Sequence, residues 1–155
     1  MQSELIEAWR TNNRINLLLI QRISAAGMKC TLSKRGGRDV ALQFAHIHNV
    51  RVWHLEKRAK DLSKGLATFE SKVSPKKTEL KKALTASGRA VETFLGDVLS
   101  GKPRRRGFKK GLFTTLSYFV AHESHHRGSI LLTLKESGHA LDNASAYAIW
   151  GWDQM

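Results

Sequence analysis

The chain has 155 residues, with 26 lysines and arginines against 13 aspartates and glutamates, a formal net charge of +13 and a pI near 10.3. That length fits a single domain over 1–155 with its own core, and no apolar run approaches the ~18 residues of a membrane span. Cys30 is the only cysteine, which excludes an intramolecular disulfide and points to a reducing compartment, the cytoplasm.

Near the N-terminus, Glu4, Glu7, Arg10 and Arg14 interrupt any apolar core, so a signal peptide is not expected. Ser3 reads as the N-cap of a first helix, with Glu4 in its first turn, where a negative charge suits the helix dipole. Leu5, Trp9, Asn12, Asn16, Leu19 and Ile23 recur at helical spacing. The stripe is apolar at its ends and amide-bearing in the middle. Asn12 and Asn16 could bond a polar site inside a bundle, but facing water is the plainer reading. Ala25-Ala26-Gly27 should end this helix.

After a connection closing on Gly36-Gly37, Asp39 caps a second helix expected from Val40 to about Lys64. It is apolar nearly all round and therefore well buried. His46 and His48 lie on opposite sides of it, so both cannot serve one ion. Ser74-Pro75 signals the start of a third helix reaching Leu99, with Lys76, Lys77, Lys81, Lys82 and Arg89 on its outer side. A basic loop follows, with Lys102, Arg104, Arg105, Arg106, Lys109 and Lys110.

The fourth helix is expected from Gly111 to about Ser137, closed by Gly138. Residues 142–155 hold Tyr147, Ile149, Trp150 and Trp152, enough apolar area to dock a short C-terminal helix. No alternating strand pattern, internal repeat or low-complexity segment stands out. The fold class is therefore all-α, a four-helix bundle with a short helical tail.

The chemistry concentrates in the fourth helix. Phe119, His122, His126, Ile130 and Leu134 share one stripe, so two imidazoles one turn apart face an apolar interior. A divalent metal would explain them; a private set of hydrogen bonds is the bland alternative. A third ligand must come from the second helix, and spacing leaves His46, His48 and His54 open. His122-Glu123-Ser124-His125-His126 also fits H-E-x-x-H, the metalloprotease pattern with a glutamate base. Neither a downstream third ligand nor a β-sheet accompanies it, which argues against a protease.

Two stretches resemble a known family: Gly36-Gly37-Arg38-Asp39-Val40 leading to Phe44-Ala45-His46-Ile47-His48-Asn49-Val50-Arg51, and Ala121-His122-Glu123-Ser124-His125-His126-Arg127-Gly128-Ser129-Ile130. The chain resembles the DinB/YfiT-like four-helix-bundle metalloenzymes over almost its whole length. The resemblance implies a three-histidine metal site on His46, His122 and His126, with His48, His54 and His125 secondary. It implies nickel or zinc first, then iron or manganese, and a homodimer. Some members are thiol transferases, so the activity it implies is a metal-dependent transferase or hydrolase acting on a small-molecule or thiol substrate. Glu123 is then a weak candidate for a catalytic base, with solvent exposure or helix orientation the plainer roles. The competing readings are a bundle whose metal is structural only and a nucleic-acid-binding protein using its basic surface; only Phe108 interleaves the basic loop, and no binding motif appears.

Overall fold

A computed structural model describes residues 2–155, with side-chain detail from Glu4. The Ser3 side chain, the expected cap, lies outside that detail. The elements are helical: α1 (Gln2–Arg22), α2 (Val40–Arg58), α3 (Lys60–Ser63), α4 (Lys77–Leu99), α5 (Leu112–Glu136) and α6 (Asn143–Ala148), with single 3-10 turns at Gly27–Lys29 and Trp152–Gln154. Among the described residues there is no strand. The four long helices form the bundle, with α1 and α2 packed on α4 and α5 on α2. Among the described residues no helix is long and apolar enough to cross a membrane.

Local chemistry sets the helix ends. The Asp39 carboxylate accepts from the Leu42 N–H at 2.7 Å and starts α2 where the sequence places it. Three boundaries differ from expectation. The first helix stops at Arg22, where Lys77 Nζ of α4 reaches the carbonyls of Ile23 (2.6 Å) and Gln21 (3.2 Å) and satisfies the terminal acceptors. The second stops at Arg58 because Ala59 (φ −155°, ψ 57°) leaves helical geometry, sending the chain into α3. The third starts at Lys77: Glu79 accepts from the Lys76 N–H at 2.7 Å, while the Ser74 hydroxyl goes to Asp39. The fourth ends as expected, with Gly138 at φ 74° and the His139 N–H bonded back to Leu134 O at 2.8 Å.

The core is layered along the bundle. One apolar cluster gathers Leu19, Ile23, Phe44, Ile47, Leu84, Ile130 and Leu134; the other gathers Trp9, Leu55, Val91, Phe94, Leu95 and Phe119. On each long helix buried polar residues mark the level between the two sets: Asn12 and Asn16, His48 and Arg51, Ser87, and Glu123. Helices α1 and α4 approach closely at this level. Trp9 Nε1 donates to Gly88 O at 2.9 Å, and a Cβ on Gly88 would run into the Asn13 amide.

Outside the bundle, the tail docks through buried Ile149 and partly buried Met155, whose carbonyl accepts from Arg14 at 2.7 Å, while Tyr147, Trp150 and Trp152 stay exposed. That is less burial than its apolar content suggests. The basic loop is partly neutralised: Arg105 pairs with Asp97 (2.9 Å) and Asp61, and Lys102 with Asp97 (3.0 Å).

Candidate metal centre

Helix α2 carries His46 and helix α5 carries His122 and His126 one turn apart, and the two helices pack against each other at this level. One ligand-capable atom from each histidine lies within 4.8 Å of the other two. Ring centroids are 4.7 Å apart for His122–His126, 4.8 Å for His46–His126 and 5.3 Å for His46–His122. A tetrahedral ion with metal–nitrogen bonds of ~2.0–2.1 Å sets its ligands about 3.4 Å apart. The triad's atoms lie within about 1.4 Å of that spacing.

Three observations fit a metal at this place. All three rings are partly withdrawn from water. Burial is the main cause that pulls His46 and His126 down to about 4, helped by Arg38 and the neighbouring imidazoles. The pKa of His122 is lowered chiefly by burial, with Glu123 pulling the other way. The rings are therefore neutral near pH 7, the form whose lone pairs can ligate. Third, His122 Nδ1 is buried with no hydrogen-bond partner. An all-imidazole donor set suits zinc, nickel or another borderline ion rather than calcium or magnesium.

The remaining histidines have other surroundings. His48 is buried and satisfied at both ring nitrogens, by Ser87 Oγ at 3.1 Å and Ala67 O at 3.0 Å. It is a core histidine. His125 is exposed beside His126. His54 lies two turns along α2 from His46, among the rings of Phe108, Tyr118 and Phe119. Next to His46 a cavity of about 130 Å³ opens between Arg38, Asn49, Trp53 and Phe69, and Trp53 is half exposed there.

Glu123, the candidate base, is placed elsewhere. Its side chain is buried and its carboxylate is fully engaged: Oε1 accepts from Arg51 Nε at 2.7 Å, and Oε2 from Arg51 Nη2 (2.8 Å), Asn12 (2.6 Å) and Asn16 (2.7 Å). Asn12 and Asn16 thus do not face water. They are buried, and their amide oxygens also accept from Arg127 at 2.9 and 3.0 Å. The inward glutamate takes both amides as donors, which overturns the plainer reading of that stripe.

Arg51 is the residue that sequence reasoning passed over. It is wholly buried, and Nη1 reaches Asn13 Oδ1 (2.8 Å) and Leu84 O (3.1 Å), while its guanidinium lies 4.8 Å from the Trp9 ring. One side chain of α2 thereby ties α1, α4 and α5 together. A signal existed: an arginine between Val50 and Val52, in a helix apolar nearly all round, must meet a buried counter-charge. The Arg51–Glu123 pair fixes α2 against α5, which is what lets His46 meet His122 and His126.

Compared with curated proteins and with solved structures, the chain matches none. The model of the DinB family matches residues 1–150.

Proposed function

Because this chain belongs to the DinB family, we propose that it is a divalent-metal-dependent enzyme whose ion is held by His46, His122 and His126. The observation that carries this reading is the convergence of three neutral, partly buried imidazoles from two helices within 4.8 Å. Nickel or zinc is the expected ion, ahead of iron or manganese. Three protein ligands leave at least one position open, the pattern of catalytic rather than purely structural sites. When bound, the ion supplies Lewis acidity toward a thiol- or hydroxyl-bearing reactant.

The reaction proposed is transfer of a low-molecular-weight thiol to an electrophile, or a hydrolysis at the same centre. The chain contributes in three ways. Its helices hold the imidazoles neutral and oriented. Arg38 places positive charge near the triad, where its field lowers the pKa of all three rings and would favour an anionic reactant. The cavity beside His46, flanked by Trp53, gives an organic substrate an apolar wall. Glu123 takes no proton-transfer part in this scheme, since Arg51, Asn12 and Asn16 occupy its carboxylate.

Metal content by inductively coupled plasma mass spectrometry, on protein purified without a nickel column, tests the reading. A single ion per chain, lost in both His46→Ala and His122→Ala, is expected. Protein that takes up neither Zn²⁺ nor Ni²⁺ would overturn it.

A further inference from the structure

Glu123 carries one negative charge between two guanidiniums. Arg51 donates to both of its oxygens, at 2.7 and 2.8 Å, whereas Arg127 Nη1 stands 4.0 Å from the carboxylate. Arg127 donates only to neutral groups: Nη1 to Asn16 Oδ1 at 3.0 Å, and Nη2 to Asn12 Oδ1 at 2.9 Å and Ser124 Oγ at 2.8 Å. Among the described residues no other carboxylate pairs with either arginine. The network therefore holds one positive charge in excess, on a side chain that is 11% exposed. A withdrawn charge without a counter-ion is costly, and arginine cannot shed its proton to escape. Its Nε–H has no acceptor among the described residues, and it is not sealed from water as the Nε of Arg58 is.

Arg127 lines a cavity of about 200 Å³ between α5 and the C-terminal tail, together with Ser124, Gly128, Leu131, Trp150 and Trp152. At ~100° per residue, Ser124, Gly128 and Leu131 lie on the side of α5 away from His122 and His126, so this cavity is separate from the metal centre. The tail wall is held in place, since Ile149 is buried and Trp152 Nε1 donates to Ile149 O at 3.2 Å. In the α5 wall, a Cβ at Gly128 would meet nothing within 4 Å. Glycine is a poor helix former, and at this position its missing side chain leaves the cavity open.

We infer that this cavity binds a small aromatic carboxylate, its anionic end on Arg127 and Ser124 and its ring against Trp150 and Trp152. The excess of one positive charge matches a monoanion, and a dianion would overcompensate it. The donors converge: the Ser124 oxygen, which accepts from Arg127 at 2.8 Å, keeps its own O–H free to donate, and both side chains line the same cavity. Size limits the ligand as well. An engineered cavity of ~150 Å³ takes up benzene, so about 200 Å³ accommodates one ring with a short acid rather than a nucleotide or a peptide. The exposed indoles of Trp150 and Trp152 offer that ring aromatic faces. The site needs no ion, so it stands or falls apart from the metal reading.

The test follows the four indole N–H cross-peaks of the full chain in ¹H–¹⁵N spectra. Phenylacetate is titrated beside phenylacetamide, acetate and phenyl phosphate. Phenylacetate should shift Trp150 and Trp152 saturably while Trp9, in the core, and Trp53, beside the triad, stay in place. Phenylacetamide and acetate should each bind about tenfold more weakly or worse, and phenyl phosphate more weakly than phenylacetate. Arg127→Gln should weaken phenylacetate at least about tenfold, the loss of one charge-assisted hydrogen bond. Because that change also releases Asn12 and Asn16, Gly128→Leu provides a second variant that leaves the network intact: it fills the cavity and should abolish binding. His46→Ala should leave the affinity within about twofold. No saturable shift, phenylacetamide as tight as phenylacetate, tighter phenyl phosphate, or undiminished binding to Gly128→Leu would each overturn the inference.

Discussion

His122 and Glu123 are adjacent on α5, yet they belong to opposite kinds of polar interior. The glutamate is charged, wholly buried and saturated with donors from α1 and α2. The histidine is neutral and only partly buried, and its Nδ1 has no partner. A saturated buried group has no capacity left for a ligand and can only fix the positions of the helices that satisfy it. An unsatisfied one carries a standing cost that a ligand can remove. The comparison assigns architecture to the Arg51–Glu123 network and chemistry to the triad. It also explains why Glu123, the weak candidate for a base, serves the network and not the triad.

The sharpest way to break that assignment is to remove one half of the network. Arg51→Met leaves the Glu123 carboxylate buried with only the two asparagine donors, and should cost about 3–5 kcal/mol in urea unfolding. Because the pair registers α2 against α5, surviving folded protein should also bind zinc about 10–100-fold more weakly. Glu123→Gln keeps the shape, strands the guanidinium, and should lose stability in the same direction by less. A double-mutant cycle over both positions should show coupling, since the side chains share two hydrogen bonds. A loss below about 1 kcal/mol for Arg51→Met would make the network ornamental.

Changing the triad should do the reverse, with little effect on the metal-free fold and a large one on the ligand response. Zinc at about a hundred times its dissociation constant stabilises a one-site protein by ~2.7 kcal/mol, or roughly 5–10 °C in Tm for a chain of this size. His46→Ala should abolish that gain and leave the metal-free melting temperature nearly unchanged. If His46→Ala instead unfolded the protein without metal, the triad would be part of the architecture.

Acid should separate the two regions next. His46, His54 and His126 titrate near 4 in the folded chain against an ordinary 6.5. Between those values the unfolded chain binds protons that the folded one refuses, so stability falls as pH drops from about 6.5 toward 4 and is unaffected by these groups above that window. Urea midpoints at pH 7.5 and pH 5 should show the loss, and His54→Phe should reduce it. Zinc binding should resist acid down to about pH 5, because protons compete poorly for rings with such low pKa values. Binding already lost at pH 6 would show ordinary, solvated imidazoles.

The comparison also marks what the sequence could disclose. The helix order, the Asp39 cap and the Gly138 stop follow from local signals of one turn or less, and those were legible. The H-x-x-x-H pair was legible for the same reason, as two residues on one turn. Its partner on α2 was not: His46, His48 and His54 are equivalent by spacing, and only the packing of α2 against α5 and the resemblance separate them. The Asn12–Asn16–Arg51–Glu123 network joins residues up to 111 positions apart, so no window along the chain could contain it. The early stop of α1 is the same case on a smaller scale, because a lysine 54 residues downstream supplies the cap.

The smallest expected effect is the one that most sharpens the contrast between ligand and bystander. His125 and His126 are adjacent, their rings 5.2 Å apart, and a sequence pattern alone could recruit either. Helical geometry turns adjacent residues by ~100°, so His126 faces His122 and His46 while His125 remains exposed. His125→Ala should therefore change stability by less than about 0.5 kcal/mol, the range of an exposed substitution, and leave zinc stoichiometry at the wild-type value. Its one measurable trace should be electrostatic: positive charge at His125 lowers the pKa of His126 and His122, so its removal should raise zinc affinity slightly in acid. Parallel titrations of His125→Ala and His126→Ala at pH 7.5 and 5.5 read this directly. Equal loss of metal in both variants would mean that the two rings exchange as ligands and that the register of α5 against α2 is looser than the Arg51–Glu123 pair implies.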